Sequence, residues 1–108
     1  EAVFPALAKS SIDQVSLECI NSHVPPDLMK LLAGKDVMVG VIDVASDVVE
    51  TPEAVADAIG RALEFVPKER LFPCTNCGLA PMGRDVAWRK LKALAEGTQL
   101  ARERLAVA

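Results

Sequence analysis

Residues 37–42, Val-Met-Val-Gly-Val-Ile, form a continuous apolar run rich in β-branched side chains. A run this short and this apolar predicts a strand buried on both faces, which is typical of a parallel sheet covered by helices. The run ends at Asp43, whose carboxylate would be costly to bury there without a partner or a role. We therefore expect an α/β protein in which polar residues follow buried strands.

Alternation, helix caps and prolines predict the other elements. They are, in order, a strand at 13–18, a helix at 27–32 stopped by Gly34, the strand at 37–42, a helix capped by Thr51 and ended by Pro67, a strand at 70–72, a loop at 75–84 and a final helix capped by Asp85. The order βαβαβα, with strands about 25 to 30 residues apart, is typical of repeated parallel β/α units.

The final helix is predicted to be amphipathic. Its apolar face is Trp88, Leu91, Leu94, Ala95, Thr98 and Leu105, whereas Arg89, Lys90, Lys92, Arg102, Glu103 and Arg104 are expected in solvent. We interpret Trp88 as a core residue of this helix, and we expect Gly97 to weaken its middle.

Three β/α units do not close a barrel, and an open parallel sheet leaves its edges exposed. The pattern therefore indicates the last three units of a TIM (β/α)8 barrel. A compact three-layer α/β domain that has lost or hidden its other strands is the alternative. Because the sequence begins at Glu1 rather than at methionine, we expect residues 1–108 to be one portion of a larger domain.

Composition excludes several classes of partner. The 12 basic and 15 acidic side chains give a net charge of −3, without a basic run that would attract nucleic acid. The apolar runs are far shorter than the roughly 20 residues that a membrane span needs. Three cysteines, an odd number, cannot all be paired in disulfides within the chain, so we expect a reducing cytoplasm.

Candidate site residues follow the predicted strands. Glu18 and Cys19 end the first strand, Asp43 the second, and Cys74 and Cys77 the third. In β/α proteins, functional side chains gather at the carboxyl ends of the strands. Carboxylate and thiolate together are a plausible part of a zinc site, although Glu18 could also cap a helix or pair with an arginine.

The Cys74-x-x-Cys77 spacing has three interpretations, namely a metal ligand pair, a thioredoxin-like redox couple and two buried thiols without chemistry. Gly78, Pro81 and Gly83 prevent a helix from starting promptly, which disfavours the redox couple. We interpret the single histidine, His23, as a solvated or capping loop residue rather than a ligand.

The chain resembles the carboxyl-terminal end of cobalamin-independent methionine synthases in five segments, in order and spacing. These are 15–18 (Val-Ser-Leu-Glu), 39–44 (Val-Gly-Val-Ile-Asp-Val), 50–55 (Glu-Thr-Pro-Glu-Ala-Val), 66–71 (Val-Pro-Lys-Glu-Arg-Leu) and 77–79 (Cys-Gly-Leu). The resemblance covers nearly the whole chain.

That resemblance implies a zinc-dependent methyltransferase of methionine biosynthesis on a (β/α)8 barrel. Enzymes of this family transfer a methyl group from 5-methyltetrahydrofolate to the sulfur of homocysteine. By matching position, the resemblance implies that Glu18 and Cys77 are zinc ligands. The family's other two ligands, in a His-x-Cys segment, would lie upstream of Glu1.

The chain also departs from the family pattern. Ala45 replaces a histidine implicated in proton transfer, and Cys74 and Asn76 replace an asparagine and an aspartate. We interpret these changes as signs of a paralogue with another methyl donor or thiol acceptor. Acid catalysis would then pass to Asp43, which could instead contact the substrate, or to a residue elsewhere. Cys74 is not expected to be a ligand, since it need not face the metal.

Two other functions stay open from the sequence. The chain could be a non-catalytic module in which Cys19, Cys74 and Cys77 hold a structural metal. It could instead be an assembly piece whose exposed edges pair with the remainder of a barrel or with a second copy.

Overall fold

The computed structural model describes residues 6, 8–18, 32, 34–80 and 82–106. The elements in these ranges are β1 Gln14–Glu18, β2 Asp36–Ile42, α1 Pro52–Ala62, a 3-10 turn Lys68–Arg70, β3 Leu71–Thr75 and α2 Arg84–Ala106. The strands form one parallel sheet in the order β1-β2-β3. This confirms the predicted α/β class, whereas the predicted helix at 27–32 lies, except for Leu32, outside the described residues.

Helix α1 begins where its sequence predicts. The Thr51 hydroxyl accepts a hydrogen bond from the Ala54 N–H at 3.1 Å, and Pro52 occupies the first helical turn. The helix ends at Ala62 rather than at Val66, because Phe65 N–H bonds to the Ala62 carbonyl and tightens the last turn. Val66 nevertheless stays buried.

The two faces of the sheet have different surroundings. Side chains alternate between faces along a strand, and on β2 the face of Val37, Val39 and Val41 packs in the core with both helices. The pairing register puts a second set of side chains on the opposite face, which we call the open face: Ser16, Glu18, Met38, Phe72 and Cys74. Met38 is half-buried and Phe72 is 43% exposed, so the prediction of complete burial on both faces of β2 is wrong at Met38.

Helix α2 buries a different stripe from the predicted one. Trp88 is 65% exposed, and Leu91 and Leu105 are also exposed. The buried residues of α2 are Lys90, Ala93, Gly97 and Ala101. The predictions of Trp88 as a core residue and of Lys90 as a solvated one are therefore wrong.

Close helix packing explains the buried stripe. A Cβ added to Gly97 would lie 2.4 Å from Cβ of Val55 on α1. The two helices thus approach as closely as they do because small residues face α1, which leaves no room for Trp88 on that side.

The start of α2 also differs from the prediction. The Ala87 N–H bonds to the Gly83 carbonyl at 3.0 Å, so the helix begins at Arg84. Asp85 is therefore not the cap but lies in the first turn, where it pairs with Arg89 at 3.2 Å. A carboxylate in a first turn is favoured by the helix dipole.

Strand β3 is longer than the predicted 70–72 and includes Pro73 and Cys74. Proline is tolerated there because β3 pairs with β2 alone in the described sheet, so one side of its backbone needs no donor. Within the described ranges, no helix has both the length and the apolar content to cross a membrane.

Candidate functional site

The carboxyl edge of the sheet brings Glu18 and Cys77 into contact. Glu18 ends β1, and the register sets it beside Gly40 of β2, which in turn pairs with Cys74 of β3. Cys77 lies two residues beyond β3 in an exposed turn. Its Sγ donates a hydrogen bond to Oε1 of Glu18 at 2.9 Å, which joins the end of β1 to the loop that follows β3.

Gly40 allows this contact to form across the middle strand. Strands β1 and β3 both pair with β2, which puts them roughly 10 Å apart. The loop after β3 covers that gap by lying over Gly40, where an added Cβ would be 2.2 Å from Oδ1 and 3.0 Å from Cα of Asn76. The Asn76 N–H bonds to the Ile42 carbonyl at 2.9 Å and fixes the loop. A side chain at position 40 would displace the loop that carries Cys77.

The hydrogen bond to Glu18 is the main influence on the thiol of Cys77. The hydrogen bond to the carboxylate raises the pKa of the Cys77 thiol, and desolvation and the negative charge of Glu18 raise it further. Without a cation, Cys77 is therefore held protonated as the donor of that bond. A divalent cation would displace this proton, because cysteine binds metals as the thiolate.

Cys74 has a different environment. It is half-buried on the open face, where burial raises the pKa of its thiol and a hydrogen bond with the Ser16 side chain lowers it. The two cysteines of the Cys-x-x-Cys spacing are both free thiols and have separate partners, Ser16 and Glu18. The pair is thus chemically unequal.

Asp43 lies directly after β2 in a turn of its own. Its Oδ1 accepts a hydrogen bond from the Ala45 N–H at 2.9 Å, which is the pattern of an aspartate-stabilised turn. Its backbone N–H donates to Oε2 of Glu50 at 2.8 Å. The segment after β2 is therefore ordered by two carboxylates.

Lys90 is a buried charged residue that the sequence analysis had predicted to be in solvent. Its side chain is 0% exposed, and its Nζ donates to the carbonyls of Asp43 and Val48, each at 2.8 Å, and to Oε1 of Glu50 at 3.0 Å. The available signal was helical spacing, because Lys90 shares one face of α2 with the small residues Ala93, Gly97 and Ala101.

The described part of the chain supplies two metal donors at this edge. Among the residues that the structure describes, no three His, Cys, Asp or Glu side chains lie close enough together to hold a metal ion. Cys19 and His23 lie outside the described residues. The adjacent thiol and carboxylate of Cys77 and Glu18 are donors that suit zinc, so the chain fits part of a zinc site.

Comparisons with known proteins assign the family. The model of the catalytic domain of cobalamin-independent synthase matches residues 1–100. The chain is 42% identical over 100 residues to 2-hydroxypropyl-CoM lyase of Xanthobacter autotrophicus, covering 93% of this chain and 25% of that protein. It is 35% identical over 105 residues to methionine synthase of Saccharolobus solfataricus, covering 95% of this chain and 32% of that protein.

A solved structure agrees with this assignment. The B12-independent methionine synthase from a Shewanella species, in complex with selenomethionine, superposes with a TM-score of 0.95 at 53% identity. The match covers 98% of this chain and 31% of that one. The chain belongs to the cobalamin-independent methionine synthase family. It spans roughly a quarter to a third of the length of these relatives.

Proposed function

We propose that the chain is the carboxyl-terminal portion, residues 1–108, of a zinc-dependent methyltransferase that methylates a thiol such as homocysteine. The observation that carries this proposal is the 2.9 Å contact between Cys77 Sγ and Glu18 Oε1 at the carboxyl edge of a parallel sheet. Family membership supports a methyltransferase role in methionine biosynthesis. In this proposal the three strands belong to an incomplete (β/α)8 barrel that the rest of the protein closes, and the enzyme works in the cytoplasm.

Glu18 and Cys77 are two of the zinc ligands in this proposal. The described residues supply this pair, and the family resemblance implies that the remaining ligands come from a His-x-Cys segment elsewhere in the protein. To bind zinc, Cys77 would release to solvent the proton that its Sγ donates to Glu18. The loop that lies over Gly40 keeps the two donor atoms together before any metal arrives.

Bound zinc would supply one kind of chemistry: it would hold an acceptor thiol, whose ordinary pKa is about 8.5, as the thiolate near neutral pH. In this proposal the residues of this chain hold the metal and orient the substrate. Asp43, on the turn after β2, is the proposed contact for a polar group of the substrate or the proton donor to the methyl donor, which is folate-like in this proposal. Ala45 cannot serve as the donor because it has no titratable group.

Substitution of the two proposed zinc ligands tests the proposal. In the full-length protein, we expect Cys77→Ser and Glu18→Gln each to weaken zinc binding by more than about 100-fold, since even residues that only support ligands cost 10- to 100-fold. Competition with a chromogenic chelator measures the affinity, and transfer of labelled methyl to homocysteine measures the activity.

Cys74→Ser is the matched control, because Cys74 bonds to Ser16 instead of Glu18. It is expected to leave zinc affinity within a few-fold of the parent protein. If Cys74→Ser and Cys77→Ser weaken zinc binding equally, the structural Cys-x-x-Cys module is the better explanation and the proposal is wrong.

A second candidate is alkyl transfer that involves a different thiol. Two observations favour it, namely Ala45 in place of the family's histidine and 42% identity to a 2-hydroxypropyl-CoM lyase. The same Glu18–Cys77 pair would serve this reaction, because a metal-bound thiolate is the common nucleophile. Parallel assays with homocysteine and with coenzyme M as acceptors separate the two candidates.

A further inference from the structure

Lys90 is a buried charged side chain that the proposed chemistry does not use. It projects from the first part of α2 and is fully buried, and the side chain of its ion-pair partner Glu50 is only 17% exposed. Burying a lysine is unfavourable unless its donors are all paired, and an apolar side chain would fill the same space at lower cost. The lysine therefore contributes something other than volume.

Its hydrogen bonds connect both ends of one segment, residues 43–50. Nζ has three N–H donors and meets three acceptors, the Asp43 carbonyl, the Val48 carbonyl and Oε1 of Glu50. The other oxygen of Glu50 accepts the Asp43 N–H. Asp43 is thus held at its carbonyl by Lys90 and at its N–H by Glu50.

The same contacts connect two parts of the candidate site. Segment 43–50 carries Asp43 and follows β2, whereas α2 follows the loop that carries Cys77. Lys90 belongs to α2, so a shift of α2 would move Asp43 and the end of the Cys77 loop together. Lys90 is therefore one of the contacts that relate Asp43 to this loop, in addition to the bond from the Asn76 N–H to the Ile42 carbonyl.

We propose that Lys90 and Glu50 are positioning residues that fix Asp43 at the carboxyl edge of the sheet, the edge that also carries the Glu18–Cys77 pair. The catalytic part of this inference rests on the proposed function, whereas the positioning part rests only on the contacts above. Neither residue touches substrate in the inference, and both act through the backbone of Asp43.

Hydrogen exchange of the backbone amides in the full-length protein tests whether Lys90 positions Asp43. We expect Lys90→Met to speed hydrogen exchange in the peptide that contains residues 44–49 by at least about tenfold, because local opening no longer breaks three hydrogen bonds. Lys92→Met, an exposed lysine on the same helix, is the matched control and should leave that exchange unchanged. Lys90→Arg, which keeps donors, should restore part of the protection.

Kinetics test the catalytic part. We expect Lys90→Met to lower kcat for thiol methylation by about tenfold or more with zinc content unchanged, since small displacements of a positioned group are costly. In an Asp43→Asn background the same substitution should have little further effect, because it acts through Asp43.

Two results would overturn the inference. One is unchanged hydrogen exchange at residues 44–49 in Lys90→Met. The other is a double variant in which the effects of Lys90→Met and Asp43→Asn on kcat simply multiply. If Lys90→Met does not fold, Glu50→Gln removes one acceptor of the same cluster at nearly constant volume and replaces it in both measurements. A parent protein that methylates no thiol would refute the proposed function, and the exchange comparison would still decide the positioning.

Discussion

Two polar contacts at the same end of the sheet have opposite surroundings. Glu18 and Cys77 meet in solvent with one hydrogen bond, whereas Lys90 and Glu50 meet in the interior with every donor of the ammonium paired. The exposed pair can exchange its proton for a cation at little structural cost. The buried pair cannot lose a partner without leaving a charge in the core. Ligand binding and loop anchoring are therefore carried by different residues.

The largest expected effect concerns stability. Lys90→Met should lower the free energy of unfolding by about 3 to 5 kcal/mol, because the Glu50 carboxylate and two carbonyls lose their donor inside the protein. Glu18→Gln, at the exposed pair, should change it by less than about 0.5 kcal/mol. Urea denaturation of the metal-free protein measures both, and equal effects would abolish the distinction between the two contacts.

A smaller effect should follow from the buried stripe of α2. Gly97→Ala adds a Cβ 2.4 Å from Val55, and the steric cost of about 1 to 3 kcal/mol exceeds the gain of about 1 kcal/mol in helix propensity. Gly60→Ala, on the exposed side of α1 with open space around it, should instead stabilise by up to about 1 kcal/mol. Thermal unfolding of both variants checks the signs, and stabilisation by Gly97→Ala would refute the tight packing of the two helices.

The smallest expected effect concerns thiol reactivity at the exposed pair. Because Glu18 raises the pKa of Cys77, Glu18→Gln should lower that pKa and increase the thiolate fraction at neutral pH. Alkylation of Cys77 by iodoacetamide in the metal-free protein should then be a few-fold faster near pH 7.5, and the difference should vanish above the pKa of the parent thiol. Fragmentation of the tryptic peptide 71–84 by tandem mass spectrometry resolves Cys77 from Cys74, whose rate should not change.

Local patterns were sufficient for much of the fold. The apolar run at 37–42, the Thr51 cap and the proline in the first turn of α1 each depend on neighbours in sequence, and the structure has the corresponding elements. The gathering of Glu18 and the cysteines at one edge was predicted from parallel strands sharing that edge, whereas the choice of Cys77 as the partner of Glu18 came from the family resemblance. The barrel and the zinc ligation stay predictions.

The wrong predictions concern features that depend on packing between elements distant in sequence. Lys90 and Trp88 both fit an amphipathic helix, but the choice of buried face depends on how closely α2 approaches Val55. The strand predicted at 70–72 extends to Thr75, since one-sided pairing of β3 in the described sheet tolerates Pro73. Neither fact is encoded within a window of sequence around the residue concerned.

The contact between Cys77 and Glu18 joins residues 59 positions apart in the chain. Any ion that binds both side chains closes a loop of that length and acts as a reversible cross-link. By the chain-entropy relation for cross-links, such a closure removes about 4 kcal/mol of disorder from the unfolded chain. In the proposed enzyme, the group that activates the thiol would therefore also hold the first and third strands of this sheet together, and loss of the metal would loosen the carboxyl edge as well as stop the chemistry.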